Sequence, residues 1–219
     1  MTTTSEEPFI DRQRLAWIVL LASFTLCMIV TVAVPLGVNA MLQNTKKSLN
    51  TIMQANQGTV RVDDASGVSR VVIAGENGLV VEKGARILTD ETSTASLLVY
   101  PPDNSTSPLA RLQIYSRSLV NLEEATAPRF AMSDESQMLR FHLDNGRLQL
   151  NVLQDGSRQF TVIINTPHGQ VFVTEPGQYA LVVDNMETQV LVQEGQADVL
   201  AVTSGKRLGA GQRVVISAG

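Results

Sequence analysis

The chain reads as an all-β protein behind one membrane helix, and three observations carry that reading. Apolar and polar residues alternate with period two from Gly58 to the C-terminus. Turn signals such as Asn145-Gly146, Asp155-Gly156 and Pro176-Gly177 interrupt that alternation at short, near-regular intervals. Residues 15–42 contain no charged side chain.

The N-terminal segment divides by charge. Residues 1–14 form a short tail, too short for a folded domain. The uncharged run 15–42 exceeds the roughly 20 apolar residues that a helix needs to cross the hydrocarbon core, so it is read as a transmembrane helix. Trp17 suits one interface, and Pro35 suits a kink in the distal third. The alternative is a cleavable signal peptide ending at Val38-Asn39-Ala40, whose apolar core would be shorter than this run. Arg12 and Arg14 precede the run and Lys46 and Lys47 follow it, so charge alone leaves the orientation open. Residues 43–57 are expected to form a juxtamembrane stalk, because Leu42, Leu49, Ile52 and Met53 fit helical spacing.

The β domain is expected over 58–219. Its first candidate strands are Thr59–Val62, Val71–Ile73, Leu79–Val81, Ala95–Tyr100, Leu109–Tyr115 and Leu119–Leu122. Those of the C-terminal part are Phe141–Leu143, Leu148–Leu153, Phe160–Ile164, Val171–Val173, Tyr179–Val183, Val190–Val192, Ala197–Ala201 and Val214–Ile216. In Leu148-Gln149-Leu150-Asn151-Val152, apolar and amide side chains alternate, which buries one face and wets the other. Asn145-Gly146 and Asp155-Gly156 suit type I′ hairpins, and Pro176-Gly177 suits a type II turn. Pro101–Pro108 and Glu123–Ser136 read as loops. Short strands at this spacing fit a twisted, solenoid-like β-fold, a sandwich or a barrel.

Composition narrows the function. The formal net charge is −4 and no basic stripe occurs, which argues against nucleic acid as a partner. The one cysteine, Cys27, lies in the apolar run, so no disulfide closes within one chain. Phe24-Thr25-Leu26 before it lack the small residue of a lipoprotein signal.

Catalytic chemistry finds little support. His142 and His168 are the only histidines. No H-x-H pair exists for a cupin-like metal site, no G-x-S-x-G elbow places a nucleophile, and the glycines are spaced as turns. The acidic pairs Asp63-Asp64, Asp90-Glu91, Glu123-Glu124 and Asp134-Glu135 read as solvated charge, because strand neighbours point to opposite faces. His142 is expected on a wet face and His168 in a turn. Asn104-Ser105-Thr106 fits a glycosylation sequon but reads as an exposed loop. Tyr100, Tyr115, Tyr179, Phe141, Phe160 and Phe172 are expected in the core. No catalytic, cofactor or metal-binding residue is therefore assigned. Gln189, Gln193, Gln196 and Asp198 form a candidate contact surface on the final strands.

From Gly58 to Ile216 the chain resembles the FecR domain of bacterial extracytoplasmic regulators. The stretches that carry the resemblance are "ARILTDETSTASLLV", "ARLQIYSRSLVNL", "DNGRLQLNV", "INTPHGQVFV", "PGQYALVVD", "TQVLVQEGQADVL" and "RLGAGQRVVI". Thr166-Pro167-x-Gly169, Glu194-Gly195 and Ala210-Gly211-Gln212 are its most specific pieces. The resemblance implies an all-β domain outside the cytoplasmic membrane, on one helix with its N-terminus inside. Only Met1–Arg14 precede the helix, where regulators of this type carry a cytoplasmic anti-sigma domain. No docking domain follows the last strand. Neither sigma-factor binding nor transporter docking is carried over. The expected function is a non-enzymatic, single-pass, membrane-anchored module that contacts another envelope protein or polymer in signalling or envelope organisation. A glycan- or small-ligand-binding sensor is the alternative.

Overall fold

A computed structural model describes residues 12–103, 106–130, 133, 135–153, 158–201 and 204–217. The Asp155-Gly156 turn, Asn104-Ser105 of the sequon, Asp134 and residues 1–11 of the tail lie outside the described residues. The chain divides into two compact units, Met1–Thr45 and Lys46–Gly219.

The first unit is the helix α1, Arg12–Asn44. Its apolar span, Leu15–Val38, has 24 residues, a mean hydropathy of 2.5 and no buried side chains. At 1.5 Å per residue that span is about 36 Å long, against roughly 30 Å for the hydrocarbon core. Its hydroxyls are satisfied on its own backbone: Thr25 Oγ1 donates to the Leu21 carbonyl at 2.6 Å and Thr31 Oγ1 to that of Cys27 at 2.8 Å. The helix runs through Pro35 unbroken.

Among the described residues, the second unit holds seventeen strands. The first nine are β1 (Lys46–Ser48), β2 (Asn50–Gln57), β3 (Thr59–Asp63), β4 (Ser69–Ile73), β5 (Leu79–Val80), β6 (Arg86–Thr89), β7 (Thr94–Tyr100), β8 (Ala110–Ile114) and β9 (Leu119–Pro128). The long β10 (Gln137–Val152) is followed by β11 (Phe160–Thr166), β12 (Gly169–Val173) and β13 (Gly177–Val183). Last come β14 (Glu187–Glu194), β15 (Ala197–Ala201), β16 (Gly205–Leu208) and β17 (Arg213–Ser217).

They form two sheets that share β10. Sheet I runs β4-β3-β6-β9-β10-β11-β12-β15-β16, with β1 beside the second half of β9. Sheet II runs β5-β2-β7-β8-β10-β13-β14-β17. The β10–β11 pair is parallel and the other described pairs are antiparallel. Both inner faces supply one hydrophobic core, with Phe141, Phe160, Met53, Ile87 and Tyr179 fully buried. The expected all-β class holds, and of the forms left open the nearly closed sandwich describes it.

β10 is the joint. Before Gly146 its odd positions, Leu139, Phe141 and Leu143, are buried; after it the even ones, Leu148, Leu150 and Val152. A register shift between Leu143 and Asn145 and a φ of +104° at Gly146 reverse the phase, so one strand serves both sheets. Asn145-Gly146 is therefore not a hairpin turn. It is a bend inside a continuous strand.

Three other expectations are corrected. The 43–57 stalk is not helical: β1 and β2 occupy it, with Thr51, Met53 and Ala55 buried in alternation. Residues 123–128 continue β9, so the expected loop begins only after Pro128. Gly177 has the expected positive φ, +157°, but opens β13 rather than sitting in a type II turn. It is needed for space, because a Cβ there would lie 2.2 Å from the Glu194 carbonyl oxygen.

Candidate functional site

The outward face of sheet I carries a charged cluster where β9, β10 and β11 meet. Along β10, Arg140 and His142 alternate with buried Leu139, Phe141 and Leu143. β9 pairs with β10 through Leu122 and then Glu124, so Glu123 is an extra residue in a β-bulge. Glu123 and Glu124 thus both point outward, correcting the expectation that adjacent carboxylates there face apart. His142 lies between two acids, with Nδ1 3.9 Å from Glu123 Oε1 and Nε2 3.4 Å from Asp144 Oδ1. Its side chain is 29% exposed, so it is half-buried rather than fully wet. Asn165 Nδ2 donates to Glu123 at 2.7 Å, and Asn121 donates to Asp144. Lys46 and Arg140 approach Glu124 at 3.7 and 3.9 Å.

Lys46 and Arg140 offset part of the acidic charge of this cluster. Among the described residues no group of three or more His, Cys, Asp or Glu is placed to hold a metal ion. Several other described carboxylates have structural roles. Hydrogen bonds from Arg61 and Ser69 hold the Asp63 carboxyl below its ordinary range, and Arg207 does the same for Asp198. Asp90 accepts the Thr92 and Ser93 amides at 2.9 and 2.8 Å and closes the turn before β7. Glu91 pairs with Arg117 at 2.7 Å.

His168 is in its expected turn but is buried. Its Nδ1 lies 2.9 Å from Thr188 Oγ1, which donates to Thr166 Oγ1 at 3.1 Å. Thr188 is wholly inaccessible, so the three side chains satisfy one another in place of water.

The outward face of sheet II has a different chemistry. Asn56 Nδ2 donates to Ser96 Oγ at 2.7 Å, and Ser96 Oγ donates to Gln113 Oε1 at 2.9 Å. Tyr115 donates to Gln149 Oε1 at 3.1 Å, and the Arg147 guanidinium stands 5.9 Å from the centre of the Tyr115 ring. Tyr100 and Tyr115 are half-buried on this face and Phe172 is half-buried on sheet I, so only Tyr179, Phe141 and Phe160 of the six aromatics are fully buried. Gln189 and Gln193 lie on β14 of sheet II, Gln196 is in a turn, and Asp198 lies on β15 of sheet I. Those four residues do not form one surface, because consecutive strands β14 and β15 join different sheets.

The fold and these surfaces define an all-β module of two sheets built on one strand, in a chain with, among the described residues, one apolar helix near its N-terminus. The model of the FecR protein family matches residues 102–198, from the loop after β7 into β15. Two crystal structures, at 2.50 and 1.65 Å, of a Parabacteroides distasonis ATCC 8503 protein described as "a putative anti-sigma factor" are similar at 16% identity and a TM-score of 0.43. The similarity covers 60% of this chain and 54% of that one, so the chain spans about half the length of the solved protein it matches. No curated protein matches.

Proposed function

We propose that the protein is a membrane-anchored, extracytoplasmic contact module in envelope signalling or organisation, and that it performs no chemistry. The observation that carries this reading is the FecR match across β8–β14, the strands that build both sheets, in a chain whose apolar span is long enough to cross a bilayer. The helix anchors the chain, with residues 1–14 inside and the β domain outside. Among the described residues, both histidines and many of the carboxylates stand in polar pairs, turns or buried hydrogen bonds, which supports binding over turnover.

Topology is the first test. In a Cys27→Ser background, Asp103→Cys places a thiol on an exposed loop. It reacts with an impermeant maleimide in intact cells if the domain is outside. Labelling only after lysis refutes the orientation. Reproducible turnover of a hydrolase or oxidoreductase substrate, abolished by His142→Ala or Glu123→Gln, refutes the non-enzymatic reading.

A further inference from the structure

The two outward faces differ in how they treat charge. Sheet I pairs much of its charge in place: Arg61–Asp63 and Arg207–Asp198 pair at 2.8 and 2.7 Å, and Glu124 stands between Lys46 and Arg140, while Arg70, Arg86 and Lys206 form no ion pair within the described structure. Such pairs are ordinary on a solvated face. Among the described residues, the outward positions of the eight sheet II strands hold no lysine and no aspartate. Their glutamates, Glu187 and Glu194, stand at the two ends of β14. Three arginines lie among amides: Arg111 on β8, Arg147 on β10 and Arg213 on β17. None forms an ion pair within the described structure. Arg147 lies over Tyr115, and Arg213 donates to Gln189.

Arginine and tyrosine without lysine or aspartate is the composition of protein–protein contact regions, not of free surface. Arginine is the more weakly hydrated cation and offers a planar fork of donors to a carboxylate. The face is also continuous. One register row runs from Gln54 through Ser96, Gln113 and Gln149 to Leu191 and Arg213. Eight strands about 4.8 Å apart span about 34 Å, and five residues of strand span about 17 Å. The projected area is on the order of 600 Å², near the ~800 Å² that each partner gives to a standard interface.

We infer that the outward face of sheet II is the docking surface for a folded protein whose matching surface carries carboxylates opposite Arg111 and Arg147. The inference rests on the contact reading above and specifies which face makes the contact and the chemistry of the partner. The amides fix register by hydrogen bonding, and Arg147 stands beside the Tyr115 ring, 5.9 Å from its centre.

The test uses the full-length protein in its own membranes. A photo-cross-linking p-benzoylphenylalanine replaces Gln149 at the centre of sheet II, or Gln170, which is exposed on β12 of sheet I. The expected result is a discrete protein adduct from position 149 and none from 170, with Asp or Glu in the cross-linked partner peptide by mass spectrometry. The paired change Arg111→Glu with Arg147→Glu abolishes the adduct, while Arg70→Glu at the edge of sheet I preserves it. Unchanged circular dichroism shows that each variant folds. The identified partner, purified, binds the intact protein in detergent at least about tenfold more weakly after the paired reversal. An adduct from position 170 alone overturns this inference and leaves the contact reading standing. A self-adduct, a polysaccharide adduct or an adduct indifferent to the paired reversal overturns it equally. No adduct from any outward or edge position overturns both.

Discussion

Gly146 is the position where one substitution tests the architecture most sharply. It sits where β10 leaves sheet I and enters sheet II, at φ +104°. An added Cβ would lie 2.5 Å from the Ser118 Cα and 2.2 Å from its Oγ. Ser118 cannot yield easily, because its hydroxyl accepts the Arg147 amide at 3.0 Å and its own amide donates to Thr89 Oγ1 at 2.9 Å. Gly146→Ala therefore costs about 1–2 kcal/mol for the positive φ and roughly 1–3 kcal/mol more for displaced backbone. Gly67 is the matched control. Its φ is +83°, yet nothing lies within 4 Å of its Cβ position, so Gly67→Ala carries only the first cost. For a domain of this size each kcal/mol shifts Tm by roughly 2–4 °C, so Gly146→Ala should melt on the order of 10 °C below wild type. Gly67→Ala should lose about a third of that. The assay is thermal and urea denaturation of the intact protein in detergent, followed by β-sheet circular dichroism. Equal losses for the two variants would refute the argument that one strand is shared by bending at Gly146.

Other consequences are equally accessible. The Asp90 carboxyl is held below its ordinary pKa by hydrogen bonds from Ser93 and the Thr92 amide, so its contribution is present above the unfolded pKa of about 3.9 and lost as pH falls through the folded value. Asp90→Asn should accordingly lower the denaturation midpoint at neutral pH, and the gap from wild type should close on acidification; a gap independent of pH would refute that role. The Tyr179 hydroxyl lies 2.9 Å from the Glu175 carbonyl and 3.1 Å from that of Gln196, so Tyr179→Phe should cost about 1 kcal/mol by urea titration. No measurable change would mean that water satisfies those carbonyls. Thr188→Val strands the buried His168 Nδ1 and should cost roughly 1–3 kcal/mol, against little for Thr161→Val on the half-exposed outer face of β11. Equal stabilities would dissolve the proposed triad.

Alternation made most of the domain legible, because a strand with one buried face writes its phase into the sequence. The phase slip between Leu143 and Leu148 was visible too. A hairpin and a sheet-switching strand produce the same slip, and only the partners of β10 decide between them. β2 was hidden because two of its inward residues, Thr51 and Ala55, are not strongly apolar, while Leu49 and Met53 stand four apart like a helix stripe. The second half of β9 was hidden by Glu123-Glu124, since a bulge sets two outward charges side by side where a regular strand would separate them. His142, Glu123 and Glu124 could each be seen as polar. That they meet depends on the pairing of β9, β10 and β11, which no local pattern contains. The contrast between the two outward faces was invisible for the same reason, because consecutive strands such as β14 and β15 join different sheets.

The proposed anchor and the proposed docking face of sheet II make sense together. A face with two or three arginines supplies modest affinity, since each exposed charged contact is worth about 0.2–1 kcal/mol and the amides must give up water to bond a partner. Free in solution, that yields a weak complex. A helix that holds the module at the bilayer confines it with any partner in the same membrane, and the contact then forms at a raised effective concentration without new interactions. Weak, screened contacts also reverse quickly, because most differences in affinity reside in dissociation. A signalling module needs that property more than tightness. The same physics gives a direct expectation: an ectodomain freed from α1 should keep the specificity of the sheet II face, including its sensitivity to Arg111→Glu with Arg147→Glu, while losing most of its apparent occupancy at cellular concentration. If the freed domain bound as completely as the anchored one, the helix would have to do something other than confine it.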